Sequence, residues 1–234
     1  MDKPRVAAVI PAYNEEKHIG DVVRRTRQRL DDVLVVDDGS ADKTAENARE
    51  AGASTIVHQQ NQGKGETIKT GLRHWLAPAN PPEGGVNRPV DFVIILDADG
   101  QHRPEEIERF ITAALSAGEP KLILGNRMQD LSTMPVVRRF VNRWMSQQIS
   151  ALCGQEIPDT QCGYRLIHRD LIPDLLGGAA RFDYETEMLI IASRRGFRID
   201  SVPISTVYSD EVSSIHPVRD TIRFFQLMRR YQNR

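Results

Sequence analysis

Short, wholly apolar runs alternate with longer amphipathic stretches through the first half of the chain, and this alternation limits the possible folds most. Val6-Ala7-Ala8-Val9-Ile10, Val33-Leu34-Val35-Val36 and Phe92-Val93-Ile94-Ile95-Leu96 show no polar alternation, so each reads as a strand buried on both faces. Ser54-Thr55-Ile56-Val57 is a weaker third run, and Lys121-Leu122-Ile123-Leu124 a fifth. Helix-like segments lie near 15–30, 42–51, 65–76 and 104–117. Pro104 with Glu105 and Glu106 begins the last of these, with φ preset and acids at the positive end of the helix dipole. The pattern predicts an α/β fold: a Rossmann-like, mostly parallel sheet with helices on both faces.

The later part of the chain reads differently. Ala77 to Pro89 is rich in Pro, Gly and Asn and reads as a surface loop. A basic helix over about 135–152 leads to a short strand around 163–167, a helix near 184–195 and a strand pair around 197–208. The expected organisation is one domain over 1–216, with a smaller C-terminal part, and a basic amphipathic helix over 217–234. In that helix Val218, Ile222, Phe225 and Met228 form one stripe, flanked by Arg219, Arg223, Arg229 and Arg230. The stripe has two uses: packing on the sheet, or lying on an anionic membrane surface.

Bulk properties exclude some partners. Over 234 residues the formal net charge is −1, so no global field draws in nucleic acid. No apolar run approaches the roughly 20 residues that cross a bilayer. Met1-Asp2-Lys3-Pro4-Arg5 runs straight into the first strand, so the expectation is a cytoplasmic protein, soluble or peripheral on a membrane face. Cys153 and Cys162 form no CxxC and read as reduced, partly buried thiols. Trp75 and Trp144 sit in helical patterns and read as packing residues.

In an open parallel sheet, ligands bind beyond the carboxyl ends of the strands. After the first run comes Pro11-Ala12-Tyr13-Asn14-Glu15, after the second Asp37-Asp38-Gly39-Ser40, and after the fourth Asp97-Ala98-Asp99-Gly100-Gln101-His102. One such cluster is usually turn chemistry; three at one edge point to a site. Asp97 and Asp99 are two residues apart and share a face in extended backbone. Two carboxylates so placed repel and call for a cation, and hard oxygen ligands suit Mg²⁺ or Mn²⁺ bridging to a diphosphate. Asn61-Gln62-Gly63-Lys64-Gly65 lacks phosphate-loop spacing. Its glycines permit close backbone approach with Lys64 near a donor; a helix-initiating turn with a solvated lysine competes with that use.

These residues together resemble glycosyltransferase family 2, most closely its polyprenyl-phosphate sugar synthases of the dolichyl-phosphate mannose and glucose type. The resemblance runs through Pro11–Glu15, Asp37–Ser40, Asn61–Gly65, Asp97–His102, Gly125-Asn126-Arg127 and Asp159-Thr160-Gln161-Cys162-Gly163-Tyr164-Arg165. It implies a GT-A fold with Pro11, Tyr13, Glu15, Asp37, Asp38, Lys64, Asp97 and Ala98 on the side of a nucleotide-sugar donor. It implies Asp97, Asp99 and Gln101 as metal ligands, and Arg127 on the acceptor side, where a lipid phosphate would sit. Inversion at the anomeric carbon is implied as well. The segment Tyr208 to His216 departs from the mannose synthase pattern, which places Arg-Gly ahead of Ser-Lys; only Ser214 matches.

A metal at Asp97 and Asp99 would neutralise the departing diphosphate. A phosphate monoester acceptor, with its second pKa near ~6, needs no strong base. A sugar hydroxyl would, and Asp159 is the residue for it. Glu185 and Glu187 resemble a family segment and belong behind the site; among the histidines only His102 has a site context. A sugar nucleotidyltransferase would open with a glycine- and arginine-rich loop, unlike Pro11–Glu15. A non-catalytic nucleotide-sugar sensor need not keep Asp97, Asp99 and Gln101.

Overall fold

The computed structural model describes residues 3–76, 89–116, 121–128, 136–177 and 183–205, with Arg229 and Tyr231. The first half holds strands β1 (Val6–Ala12), β2 (Asp32–Asp37), β3 (Ser54–Val57) and β4 (Phe92–Ile95). Between and after them lie helices α1 (Ile19–Arg27), α2 (Thr44–Glu50), α3 (Lys64–Leu76) and α4 (Ile107–Leu115), the last entered through a 3₁₀ turn, Pro104–Glu106. The second half holds β5 (Lys121–Asn126), α5 (Val136–Cys153), β6 (Arg165–His168), α6 (Ile172–Leu175), α7 (Asp183–Arg194) and β7 (Arg198–Pro203). The strands form one seven-stranded sheet in the order β3-β2-β1-β4-β6-β5-β7.

The unbroken apolar runs arise because both sheet faces are covered. Ala8 and Ile10 of β1 pack with Ile19, Val22 and Val23 of α1 and Phe110 of α4. Ala7 and Val9, their neighbours in sequence, pack on the other face with Ile68 and Leu72 of α3 and Met188 and Leu189 of α7. Trp75 and Trp144 pack against that second layer, as expected. Cys153 and Cys162 are buried, unpaired thiols, which burial pushes up to about 11 and about 12.

β1, β2, β3 and β4 are mutually parallel, so their carboxyl ends share one edge. β6 is antiparallel to both neighbours, with Arg165 opposite Ile95 of β4 and Leu124 of β5. A reversed strand has its beginning where its neighbours have their ends. The segment before β6, residues 159–164, therefore arrives at the same edge as Asp97 and Arg127.

β1 runs two residues further than the sequence predicts, so Pro11 lies inside the strand, opposite Val36. The Val9 carbonyl accepts from Leu96 on the β4 side, and Pro11 faces that way too. The β1–β4 pairing has ended there, so the missing N–H costs no ladder bond. Proline thus marks the point where β1 and β4 diverge, the crevice in which such sheets bind ligands.

Of the strand pair expected over 197–208, β7 is described, residues 204–205 follow it beyond the end of the strand, and 206–208 lie outside the described residues, as do the loop at 77–88 and the segment around Ser214. The expected helix over 217–234 also lies outside them, apart from Arg229 and Tyr231. Tyr231 donates its hydroxyl to Glu187, accepts from Arg194 at 2.7 Å through its carbonyl, and has that guanidinium 4.9 Å from its ring centre. Among the described residues no helix is long and apolar enough to cross a membrane.

Candidate active site

The loops after β1 and β2 lock together. The Asp37 carboxylate accepts from the Ser40 hydroxyl and amide, and Ser40 Oγ accepts from the Asn14 amide at 2.9 Å. Asn14 takes a left-handed conformation, φ 56°, and its Oδ1 accepts from the Ala41 amide at 3.0 Å. Thr44 Oγ1 accepts from the Glu15 amide at 2.8 Å. Tyr13 is left half exposed at the rim, 48% accessible. A flat aromatic held on a braced loop offers a face for a nucleobase.

Asp38 was expected to face a nucleoside, and it stands at the expected edge. Its oxygens, however, are taken by the neighbouring loop: Oδ1 by His58 Nδ1 at 2.7 Å and the Gln62 amide at 2.9 Å, Oδ2 by the Gly63 amide at 2.8 Å. Gly39 follows with φ +74°, and a Cβ there would lie 2.9 Å from the Gln60 carbonyl carbon, so only glycine lets this loop close. Asp37 and Asp38 are 2% and 3% exposed; in this geometry they build the wall that carries the start of α3.

That start is Lys64. Its ammonium lies 2.6 Å from Asp97 Oδ1 and 3.0 Å from Glu185 Oε1. Both are ion-pair contacts; neither oxygen meets a hydrogen-bond partner among the described residues. Gly163, in the segment before β6, closes over the cluster: a Cβ there would come within 2.9 Å of Glu185 Oε1, 3.0 Å of Asp97 Oδ2 and 3.2 Å of Lys64 Nζ. Four elements thus meet at one cluster, and the sequence had flagged Lys64 and Asp97 without linking them to Gly163. Glu185, expected behind the site, is part of it.

The electrostatics follow. Burial opposes the charge on Asp97, but Lys64, then His102 and Arg127, outweigh it and hold the carboxylate down at about 2. Burial likewise opposes the Lys64 charge, and Asp97 and Glu185 overcome it and raise its pKa. Asp99 goes the other way: burial first, then the Asp97 charge, push its carboxyl up. Its Oδ1 accepts from the Gln101 amide at 2.9 Å, so Gln101 reaches Asp99 through its backbone, with a half-buried side chain. Ala98 is buried between the two aspartates. His102 accepts from the Asp97 amide at 3.1 Å through Nδ1 and stacks on Tyr164 at 5.0 Å. Burial lowers its pKa against the Asp97 and Asp99 charges, which favour the imidazolium, and its ring props the Asp97 backbone.

Among the described residues no group of three or more His, Cys, Asp or Glu side chains forms a metal cage. What stands here is a pair of like charges, one of them disfavoured by the other. That donor set fits an ion that accepts one or two carboxylates and completes its shell with water and phosphate oxygens, as Mg²⁺ and Mn²⁺ do.

Arg127, just past β5, reaches Asp159 in bidentate fashion, Nε to Oδ2 at 2.8 Å and Nη2 to Oδ1 at 3.0 Å. The Arg127 and Gln161 amides donate to the same carboxylate at 3.2 and 3.3 Å. Asp159 has no side-chain exposure and Arg127 has 16%. Behind them Arg165, fully buried, donates to the Cys162 carbonyl at 2.8 Å, the Thr160 carbonyl at 3.1 Å and the Glu185 carbonyl. It ties the segment before β6 to the first turn of α7, and burial lowers its pKa.

Known proteins resemble this chain in sequence and in fold. A model of glycosyl transferase family 2 matches residues 7–176. The chain is 32% identical over 204 residues to a dolichyl-phosphate hexose transferase of Haloferax volcanii, covering 85% of this chain and 81% of the relative. It is 29% identical over 225 residues to a UDP-N-acetylglucosamine–dolichyl-phosphate N-acetylglucosaminyltransferase of Methanococcus voltae, covering 86% and 85%. Among solved structures, glucosyl-3-phosphoglycerate synthase of Mycobacterium tuberculosis, in complex with Mn²⁺, uridine diphosphate and phosphoglyceric acid, superposes with a TM-score of 0.72. That alignment has 18% identity and covers 98% of this chain and 77% of the synthase.

Proposed function

The chain belongs to glycosyl transferase family 2, with the GT-A fold and kinship to dolichyl- and polyprenyl-phosphate hexosyltransferases, and from that premise we propose that it moves a hexose from a nucleoside diphosphate sugar to a polyprenyl phosphate. The observation that carries the reading is the convergence of Tyr13, Lys64, Asp97, Asp99 and Arg127 on one sheet edge at the β1–β4 divergence. Tyr13 and the loops braced by Asp37 and Asp38 receive the nucleoside. Lys64 meets the diphosphate. Asp97 and Asp99 hold Mg²⁺ or Mn²⁺, which when bound supplies positive charge to the leaving diphosphate. The solved Mn²⁺ and uridine diphosphate complex of the similar fold supports that assignment.

The acceptor follows from Asp159. A hydroxyl acceptor needs a base, but Asp159 is fully buried with both oxygens held by Arg127. A phosphate acceptor needs none, since it is already largely ionised at neutral pH. Asp159 then acts as a positioning residue that aims Arg127 at the acceptor phosphate, and the sugar inverts in a direct displacement. The names of the two dolichyl-phosphate relatives support this acceptor class. A site that binds a lipid phosphate works at a membrane surface, so peripheral membrane contact belongs to the same reading.

The test is transfer from GDP-mannose, UDP-glucose and UDP-N-acetylglucosamine, each with Mn²⁺, to a short-chain polyprenyl phosphate in detergent. The expected product is an acid-labile polyprenyl phosphate sugar from one donor, none from the corresponding polyprenol, and none with chelator. Transfer to the polyprenol or to a free sugar hydroxyl overturns the acceptor assignment.

A further inference from the structure

We propose that Lys64 is the resident counter-cation of the metal site: in the protein without donor its ammonium holds the place beside Asp97 that a divalent ion needs, and the donor diphosphate draws it away. The inference rests on the donor-site reading above and adds an order to it, in which metal and nucleotide bind as a coupled pair.

The geometry is that of a cation in a binding site. The ammonium lies between two carboxylate oxygens from different elements, 2.6 Å from Asp97 and 3.0 Å from Glu185. Those two oxygens are buried and meet no hydrogen-bond partner among the described residues, so the ammonium faces them as an ion pair only. Gly163 leaves the room: a side chain there would collide with Glu185, Asp97 and Lys64 together. A lysine at the first position of α3 has a fixed base, because Asp38 ties the two residues before it through the Gln62 and Gly63 amides. Its flexible four-carbon stem still lets the ammonium swing. A divalent ion at Asp97 and the ammonium on Asp97 Oδ1 would be like charges on one carboxylate, and they compete. A diphosphate beside the site gives the ammonium a second anion to meet. Coupling of this kind is reciprocal, so nucleotide tightens the metal and metal tightens the nucleotide.

The experiment measures Mn²⁺ affinity by electron paramagnetic resonance, with and without GDP or UDP, in the wild-type chain, Lys64→Met, Lys64→Arg and Asp99→Asn. In the wild type, Mn²⁺ alone binds weakly and nucleotide tightens it. In Lys64→Met, Mn²⁺ alone binds at least about tenfold more tightly, and the added effect of nucleotide shrinks. Lys64→Arg keeps a cation and keeps weak binding. The double variant Lys64→Met/Glu185→Gln removes one charge of each sign, and it must also bind Mn²⁺ more tightly than wild type if Lys64→Met alone folds poorly. Unchanged or weaker Mn²⁺ binding on removal of Lys64, with Asp99→Asn still abolishing it, overturns the counter-cation role and leaves the metal site standing. Mn²⁺ binding that ignores Asp99→Asn in every variant overturns the metal reading, and this inference with it.

Discussion

Two buried ion pairs stand at the same sheet edge and are built in opposite ways. On the acceptor side Asp159 meets four donors, from the Arg127 guanidinium and amide and the Gln161 amide, with no exposure at all. On the donor side Asp97 Oδ1 and Glu185 Oε1 rely on one lysine ammonium, and the three side chains keep 18–25% exposure. A carboxylate with its lone pairs satisfied by a planar, pre-organised guanidinium is a strut. Carboxylates balanced by a single ammonium on a flexible stem can exchange that partner for another cation. On the proposed reading, the difference separates the part of the site that positions from the part that changes state.

The largest expected effect falls on the exchanging side. Asp99→Ala should lower transfer by roughly 10²–10³-fold, the usual cost of removing electrostatic support for a developing charge. Thermal stability should barely move, because Asp99 stands half-buried at the strand end and accepts one local amide, that of Gln101. Near-normal Mn²⁺-dependent turnover would show that Asp97 and Asp99 are not the metal pair. On the strut side the effect should be on folding. Asp159→Ala leaves the Arg127 guanidinium largely buried without its carboxylate, at a cost of about 3–5 kcal/mol in urea unfolding. Lys64→Met should cost less, about 2 kcal/mol or below, because the Lys64, Asp97 and Glu185 side chains keep 18–25% exposure where Asp159 has none. Equal losses would erase the contrast between the two pairs.

A smaller effect belongs to the loop that carries Lys64. Asp38→Ala removes acceptors for His58 and the Gln62 and Gly63 amides, and nucleoside diphosphate affinity should fall tenfold to a hundredfold, as for hydrogen bonds to a charged group of about 1.5–3 kcal/mol. Hydrogen exchange distinguishes the route: the Gln62 and Gly63 amides should lose protection in the absence of nucleotide. Full protection with the same affinity loss would return Asp38 to direct contact with the nucleoside.

The edge that carries the proposed donor residues was largely legible in the sequence, because in a parallel strand the residues at the carboxyl edge follow the apolar run. Tyr13, Asp37, Asp97 and Asp99 could be placed on one edge by counting from Ile10, Val36 and Leu96. The acceptor side obeys a different rule. β6 is antiparallel, so Gly163 and Asp159 precede their strand, and nothing in Arg165-Leu166-Ile167-His168 announces its direction. Partners distant in sequence were hidden too: Arg127 with Asp159, Lys64 with Glu185, Asp38 with His58. Each residue type was readable as polar and placed near an edge, but whether a carboxylate faces ligand or another loop depends on register. Pro11 is the converse case, a residue read as beyond the strand whose own chemistry marks where the sheet opens.

The smallest effect sharpens the contrast within the proposed metal pair itself. Burial and the neighbouring Asp97 charge raise the Asp99 pKa above its ordinary 3.8, so the folded protein holds that proton at a pH where the unfolded chain has released it. Unfolding then releases a proton as pH rises through that window, and stability falls with pH until the folded carboxyl ionises. Asp97 has the opposite slope: held down at about 2 against Lys64, its contribution is complete above 3.8 and is lost as pH falls towards 2. Asp99→Asn keeps an acceptor for the Gln101 amide and removes only the disfavoured charge. Its melting temperature should therefore equal that of the wild type below pH 3.8 and exceed it slightly at neutral pH, where transfer is lost. Melting curves from pH 3 to 8 check this. A variant less stable than wild type at neutral pH, or a gap that ignores pH, would mean that Asp99 already has a partner in the folded chain and is not waiting for a cation.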